Sequence, residues 1–213
     1  MQDPVLTIAK KSVTISMATI YNYHADRLDL DFWDSFLDAE ESDWWLDFLE
    51  STVFTKTPTP HRRSNQNYGD PGISYTLRLG GYGSRPLKII ERPVLEWLPD
   101  LKDLKDRVEL ATKAKYNYCV VQRYPSGRVG INPHRDKEMV SGTTIAGISL
   151  GQTRTLTMGP PRWLVDEVLP VDIELGPGSM YVLKPPTNDY WSHCIQRDST
   201  TECRLSLTFR LVP

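Results

Sequence analysis

Near the end of the chain, the stretch "RLSLTFR" (Arg204–Arg210) alternates polar and apolar side chains without a break. Residues two apart in a β-strand lie on the same face, so Leu205, Leu207 and Phe209 point one way and the polar residues point the other. The polar face either meets solvent, as at a sheet edge, or lines a pocket if helices cover the apolar face. In a pocket, the two arginines would leave room for a small dicarboxylate, because a planar guanidinium binds a carboxylate through two hydrogen bonds.

The segments upstream of this strand predict an α+β fold. Two helices are expected first, because Asp38 and Glu41 form a capping box before the aromatic residues of about 39–50, and apolar residues recur at helical spacing through about 100–113. Residues 52–70 are polar and contain prolines, which predicts a loop with a short hairpin. From residue 115 onward, Gly and Pro separate stretches rich in β-branched and aromatic residues, at 116–124, 143–151, 154–159, 171–175 and 179–184. Helices followed by six or more short strands predict helices packed on one face of an antiparallel sandwich or barrel.

Composition restricts the class of protein. A chain of 213 residues is most simply one domain, and a mean hydropathy of −0.41 fits a globular protein in water. The chain has no run of apolar residues long enough to span a membrane, so we expect no membrane partner. The three cysteines lack the spacing of a disulfide framework, which indicates a reducing compartment.

Charge is distributed unevenly along the chain. Residues 26–50 contain ten acidic residues and one basic residue, a net charge of −9. Residues 52–92 contain seven basic and two acidic residues, a net charge of +5. This asymmetry permits a basic face that meets a polyanion, although ordinary solvated surfaces are the simpler explanation.

A second stretch, "NPHRDKE" at residues 132–138, contains a candidate for half of a metal site. If it is a strand, His134 and Asp136 share a face and converge on one ion; the competing interpretation is a solvated loop. A third ligand must come from His24, His61 or His193, and His193 lies 11 residues before Arg204. Two histidines and one carboxylate form the facial triad of non-haem Fe(II) oxygenases, whose open positions accept a 2-oxo acid and O₂.

Taken together, these motifs and their order resemble the AlkB-type Fe(II)/2-oxoglutarate dioxygenases. The resemblance covers about residues 38–210 and is strongest to eukaryotic members that repair alkylated nucleic acid. It rests on the stretches YGDPGISYT (68–76), YNYCVVQRYPSG (116–127), HRDKE (134–138), GPGSMYVLKPPTNDYWSH (176–193) and RLSLTFR (204–210).

The resemblance implies a double-stranded β-helix, or jelly roll, in residues 115–213. N-terminal helices and a nucleotide-recognition lid would occupy residues 1–114 of the same single domain. By the same resemblance, the iron ligands are His134, Asp136 and His193, and the 2-oxoglutarate contacts are Tyr124, Arg204 and Arg210. Gln122 and Ser206 stand where the family commonly has asparagines. Both residues can still form hydrogen bonds, and we expect the substitutions to alter the affinity for 2-oxoglutarate.

The implied reaction is oxidative demethylation of N-alkylated bases such as N1-methyladenine and N3-methylcytosine in DNA. Fe(II), 2-oxoglutarate and O₂ give succinate, CO₂ and an oxidant that hydroxylates a methyl carbon on a base nitrogen. The resulting hemiaminal collapses to formaldehyde and the repaired base. Because a duplex buries that methyl group, the base must be extruded or already unpaired.

Five further residues are candidates for contact with the nucleic acid. The resemblance implies that Tyr75 lines the base pocket and that Glu138 contacts the flipped base; an ordinary strand aromatic and a solvated acid are the alternatives. Arg62 and Arg63 are candidate phosphate contacts. Phe54 is a candidate wedge that fills the gap left by an extruded nucleotide, and the alternative is that it packs the helix end onto the sheet.

Two other functions remain open from the sequence. One is a related dioxygenase that demethylates RNA or hydroxylates a protein or small molecule. The other is a binding module without enzymatic activity, against which the intact triad and arginines argue. We expect a monomer inside the cell, in the nucleus if the source is eukaryotic and otherwise in the cytoplasm.

Overall fold

The computed structural model of the protein describes residues 18–54, 61–79, 88–92 and 94–213. Its helices are α1 (Ala39–Thr52), α2 (Pro99–Thr112) and the short α3 (Thr187–Tyr190). Its strands are β1 (Ile20–Ala25), β2 (Leu28–Trp33), β3 (Ser64–Gly69), β4 (Tyr75–Leu79), β5 (Lys88–Arg92), β6 (Leu95–Glu96), β7 (Tyr118–Tyr124), β8 (Ile131–His134), β9 (Ile145–Gly151), β10 (Arg154–Gly159), β11 (Val171–Leu175), β12 (Met180–Leu183), β13 (Ser192–Ile195) and β14 (Arg204–Arg210).

Two sheets form the body of the fold. The larger has eight strands in the order β1-β2-β12-β9-β14-β7-β3-β6, and the smaller has four in the order β11-β10-β13-β8. A buried cluster joins the two sheets, with Phe32, Ile145 and Tyr181 from the larger sheet and Met158 and Ile195 from the smaller. The strands β4 and β5 form a separate two-stranded sheet within the region predicted as the lid. The lid function of that region stays a prediction.

Both predicted helices are present and cover the outer face of the larger sheet. α1 begins after Asp38, whose Oδ1 accepts the backbone N–H of Glu41 at 2.8 Å, as the capping box predicted. Apolar residues of both helices pack with Leu205, Leu207 and Phe209 of β14 in one buried cluster; they are Trp45, Leu49, Leu101, Leu104 and Val108. Of the two orientations left open for β14, the structure therefore has the one in which helices cover the apolar face.

The prediction of a short hairpin in residues 52–70 is wrong for the part that the structure describes; residues 55–60 lie outside it. Residues 64–69 form β3, which pairs antiparallel with β7 and parallel with β6. The cause is tertiary: Tyr68 is buried in the helix-covered core, and Asn67 accepts a hydrogen bond from the buried hydroxyl of Tyr118 at 2.8 Å. These contacts outweigh the low strand propensity of a polar segment.

Two smaller findings complete the description of the chain. Cys119, Cys194 and Cys203 are free thiols. Among the helices that the structure describes, none has the length and apolar character needed to cross a membrane.

Candidate active site

The structure brings His134, Asp136 and His193 together, with one ligand atom of each within 4.8 Å of the others. His134 ends β8 and is paired in register with His193 of β13, which places the two ring centroids 4.3 Å apart. Asp136 lies just beyond the end of β8, so the expectation that His134 and Asp136 share a strand face is wrong. The segment after β8 nevertheless brings the carboxylate close to the histidine, and Asp136 Oδ1 lies 3.6 Å from His134 Nε2.

Both histidines are suited to bind a metal as neutral imidazoles. His134 Nδ1 lies 2.9 Å from the backbone oxygen of Asn132. When Nδ1 donates its proton there, Nε2 keeps its lone pair for a ligand. Burial lowers the pKa of His193 to about 4, so its ring is neutral near pH 7. His193 Nδ1 is buried and has no hydrogen-bond partner within the described part of the chain.

Asp136 supplies a negative charge in a buried position. Burial by itself raises the pKa of this carboxyl group, but Arg210 and the two histidines outweigh it and bring the pKa below its ordinary value. Asp136 Oδ2 lies 2.8 Å from Nη2 of Arg210, and both side chains are over nine-tenths buried. The two carboxylate oxygens of Asp136 therefore have different neighbours: Oδ2 faces Arg210 and Oδ1 faces His134.

At the other end of β14, Arg204 is a buried cation with spare hydrogen-bonding capacity. Its Nε donates to Ser149 Oγ at 2.9 Å, and its guanidinium carbon lies 5.1 Å from the centroid of the Tyr124 ring. Arg204 is 1% exposed, and its Nη1 has no hydrogen-bond partner among the residues described. An uncompensated buried cation is costly, and a ligand carboxylate would compensate it.

The residues around Arg204 are those that the resemblance implied for the cosubstrate. Register places Tyr124 opposite Arg204, and Gln122 opposite Ser206, on neighbouring strands. The Tyr124 hydroxyl donates to Gln122 Oε1 at 3.0 Å, so glutamine at this position supports the tyrosine. Ser206 is 4% exposed and faces the same side of the sheet as Arg204.

Arg63 lies closer to this pocket than a surface phosphate contact would. Its guanidinium carbon is 5.8 Å from the centroid of the Tyr124 ring, and its charge helps to lower the pKa of Asp136. One of its nitrogens, Nη1, is buried without a hydrogen-bond partner among the described residues. Sequence reasoning assigned Arg63 only to phosphate, and no pattern in the sequence related Arg63 to Tyr124.

The other candidate nucleic-acid contacts stay predictions. Arg62 is exposed, and Glu138 is half-buried with its carboxylate accepting the backbone N–H of Lys137 at 3.1 Å. Phe54 is half-buried and packs against the helix-covered core, which is the arrangement that its packing alternative requires. The backbone of Tyr75 begins β4, and its side chain lies outside the described part of the structure.

One contact to the metal-ligand cluster was missed by sequence reasoning. The Asn188 carboxamide forms hydrogen bonds with both the N–H and the carbonyl of Asp136. Asn188 lies in the segment before His193 that contributed to the family resemblance, but nothing in the local sequence relates it to Asp136.

A jelly roll that gathers two histidines and a carboxylate beside a buried arginine with spare donors defines a class, the Fe(II) oxygenases that use a 2-oxo acid. The family description "2OG-Fe(II) oxygenase superfamily" matches residues 29–210, and the chain belongs to this superfamily, among its AlkB-type dioxygenases. The donor set fits the Fe(II), 2-oxoglutarate and O₂ that this family uses. The family prediction is therefore confirmed.

Two curated relatives illustrate the similarity. The "DNA oxidative demethylase ALKBH2" of Bos taurus is 32% identical over 161 residues, which cover 70% of this chain and 53% of that protein. The "Alpha-ketoglutarate-dependent dioxygenase alkB homolog 3" of Homo sapiens is 31% identical over 188 residues, which cover 83% and 64%. The matched regions thus span about half to two thirds of the length of these relatives.

A solved structure supports the fold. "The structure of OsALKBH1" superposes with a TM-score of 0.57 at 16% identity, covering 91% of this chain and all of that one. At this identity the likeness concerns the fold alone, and it confirms the predicted jelly roll.

Proposed function

We propose that the protein is an oxidative demethylase that reverses N-alkyl lesions in DNA, such as N1-methyladenine and N3-methylcytosine, with Fe(II), 2-oxoglutarate and O₂. The observation that carries the proposal is the His134–Asp136–His193 cluster beside Arg210 at one end of β14, together with a buried Arg204 Nη1 at the other end that has no hydrogen-bond partner among the described residues. The choice of DNA is supported by relatives whose names specify DNA oxidative demethylation.

In this proposal each residue of the pocket has a distinct task. His134, Asp136 and His193 would hold Fe(II), which with 2-oxoglutarate and O₂ supplies the oxidising chemistry. Arg204 would pair the distal carboxylate of 2-oxoglutarate, because its buried Nη1 has no hydrogen-bond partner in the described part of the chain. Arg210 holds Oδ2 of Asp136, which leaves Oδ1 to face the metal position.

Tyr124 and Gln122 complete the cosubstrate pocket. The centroid of the Tyr124 ring lies 5.1 Å from the guanidinium carbon of Arg204 and 5.8 Å from that of Arg63, and the Tyr124 hydroxyl is oriented by Gln122. The methylated base would reach the metal from the side on which His134 keeps about a third of its side chain exposed. Such access requires an unpaired or extruded base, since stacking hides the methyl group in a duplex.

The test is an assay on a panel of methylated and unmethylated oligonucleotides of identical sequence, as both DNA and RNA. The protein is incubated with Fe(II), 2-oxoglutarate and ascorbate, and products are measured by mass spectrometry. We expect methylated DNA to lose the mass of one CH₂ group and to release formaldehyde. Loss from methylated RNA alone would refute the choice of DNA, and unchanged masses across the panel would refute demethylation.

A further inference from the structure

The main chain of Asp136 is held by a side chain rather than by a neighbouring strand. The register of β8 with β13 ends at His134, so Asp136 lies beyond the paired residues. The side chain of Asn188 forms the hydrogen bonds that a strand partner would form. Its Oδ1 accepts the Asp136 N–H at 2.9 Å, and its Nδ2 donates to the Asp136 carbonyl oxygen at 2.7 Å. A carboxamide bonded to both groups of one residue fixes that residue as a strand partner would.

The direction of the Asp136 carboxylate depends on this contact. The side chain is 6% exposed, and its two oxygens face different partners, Arg210 at 2.8 Å and His134 Nε2 at 3.6 Å. A rotation of the Asp136 backbone would exchange these partners or withdraw the carboxylate from the histidines. Because a metal ion requires its ligands within tenths of an ångström, such a rotation weakens binding even when all three ligands remain.

The short helix α3, which contains Asn188, is anchored to the hairpin of β1 and β2. Thr187 Oγ1 accepts the Asp29 N–H at 2.7 Å and donates to the Asp29 carbonyl at 2.9 Å, and Thr187 is fully buried. Trp191 Nε1 donates to the carbonyl of Asp26 at 2.9 Å. The hairpin thus supports the segment that leads from Asn188 to His193.

We propose that Asn188 is a positioning residue of the metal centre, which holds the Asp136 main chain so that its carboxylate faces the two histidines. This inference rests on the metal site of the proposed function but not on the choice of nucleic acid. The competing role is structural: Asn188 also lies 3.6 Å from Met139 Sδ, and it could stabilise its turn without affecting the metal.

The experiment measures binding of Mn(II) to the apoprotein, with the electron paramagnetic resonance signal of free Mn(II) as the readout. For Asn188→Ala we expect affinity about 10- to 100-fold weaker, the usual effect of removing a residue that orients a metal ligand. The matched control is Asn22→Ala, which removes an exposed carboxamide bonded to Asp31 on the hairpin. Its affinity should equal that of the wild type.

A second variant, Asn188→Asp, preserves the size of the side chain and serves if the alanine variant does not fold. Its carboxylate still accepts the Asp136 N–H but cannot donate to the Asp136 carbonyl. The added negative charge alone would strengthen binding of a cation, so weaker binding reports the lost hydrogen bond. Affinity equal to or above that of the wild type would overturn the proposal.

Melting temperatures with and without Mn(II) separate positioning from a structural role. A positioning role predicts that the rise in melting temperature on adding Mn(II) shrinks in the Asn188 variants, because a ligand stabilises in proportion to its affinity. An equal decrease with and without Mn(II) would support a structural role and overturn the inference. If the wild type itself fails to bind Mn(II), the metal centre and the proposed function fail together.

Discussion

Replacing Arg204 by alanine tests whether the buried face of β14 binds 2-oxoglutarate. Arg204 is almost fully buried, contacts Ser149 and the Tyr124 ring, and keeps Nη1 without a partner among the described residues. Burial lowers the pKa of Arg204, but an arginine stays charged at any physiological pH. Within the described part of the chain the hydrogen bonding of this cation is therefore incomplete, and a carboxylate would complete it.

The expected magnitude follows from this burial. Removing one partner of a buried, hydrogen-bonded charge pair costs about 2–5 kcal/mol of binding free energy. At about 1.4 kcal/mol per tenfold change, the dissociation constant for 2-oxoglutarate should rise between roughly 30-fold and 4,000-fold. Arg204→Lys should lie between the wild type and alanine, because lysine preserves the charge but not the planar fork. The apoprotein should lose little stability, since the variant also removes a buried charge whose Nη1 has no hydrogen-bond partner among the described residues.

The assay is calorimetric titration of 2-oxoglutarate into the protein loaded with Mn(II), which avoids turnover. The control is Arg123→Ala on the neighbouring strand β7. The Arg123 side chain forms an ion pair with Glu50 of α1 at 2.6 Å, on the helix-covered side of the sheet. That variant should lose stability and keep its affinity for 2-oxoglutarate. An unchanged affinity in Arg204→Ala would show that the polar face of β14 does not bind the cosubstrate.

Three further outcomes are expected. His134→Ala should abolish succinate formation while the melting temperature of the apoprotein changes little, since His134 is partly exposed; undiminished succinate would end the dioxygenase assignment. Phe54→Ala should slow demethylation of duplex DNA far more than of single-stranded DNA if the side chain wedges into the stack, whereas equal loss on both with a lower melting temperature would favour packing against the core. Cys203 should alkylate with iodoacetamide at pH 8 much more slowly than a free cysteine, because burial and the Glu50 carboxylate raise the pKa of its thiol to about 12 and keep it protonated; alkylation at the rate of a free thiol would contradict this environment.

The elements that were predicted from the sequence are those whose local pattern agrees with their tertiary environment. The capping box and helical spacing of α1 and the strict alternation of β14 each identify one buried face, and both elements formed as expected. The strand β2 has a comparable alternation, from which the sequence analysis predicted no strand. Its buried residues Leu28, Leu30 and Phe32 alternate with Asp29 and Asp31. Its pairing with β12 extends the larger sheet.

The elements that were not predicted depend on partners far along the chain. The polar strand β3 forms because β7 lies beside it, which no local pattern indicates. The same holds within the site, where Asn188 and Asp136 are 52 residues apart and Ser149 and Arg204 are 55 apart. Motif reasoning finds residues that contact the metal or cosubstrate directly, because chemistry restricts their type. It does not find the residues that orient them, because many residue types can form one hydrogen bond.

The register of β14 places two arginines with different surroundings on one strand. Arg204 and Arg210 are six residues apart, an even number, so both lie on the face of the sheet away from the helices while the intervening leucines face the helices. The two arginines have different partners: Arg204 contacts Ser149 and Tyr124, and Arg210 contacts Asp136 beside the histidines. A shift of one residue against β7 and β9 would place both guanidinium groups in the apolar core and three large apolar side chains in the pocket. Burial of Leu205 and its apolar neighbours against the helices therefore holds the two arginines in place, and the same alternation specifies both the core packing and the positions of the arginines.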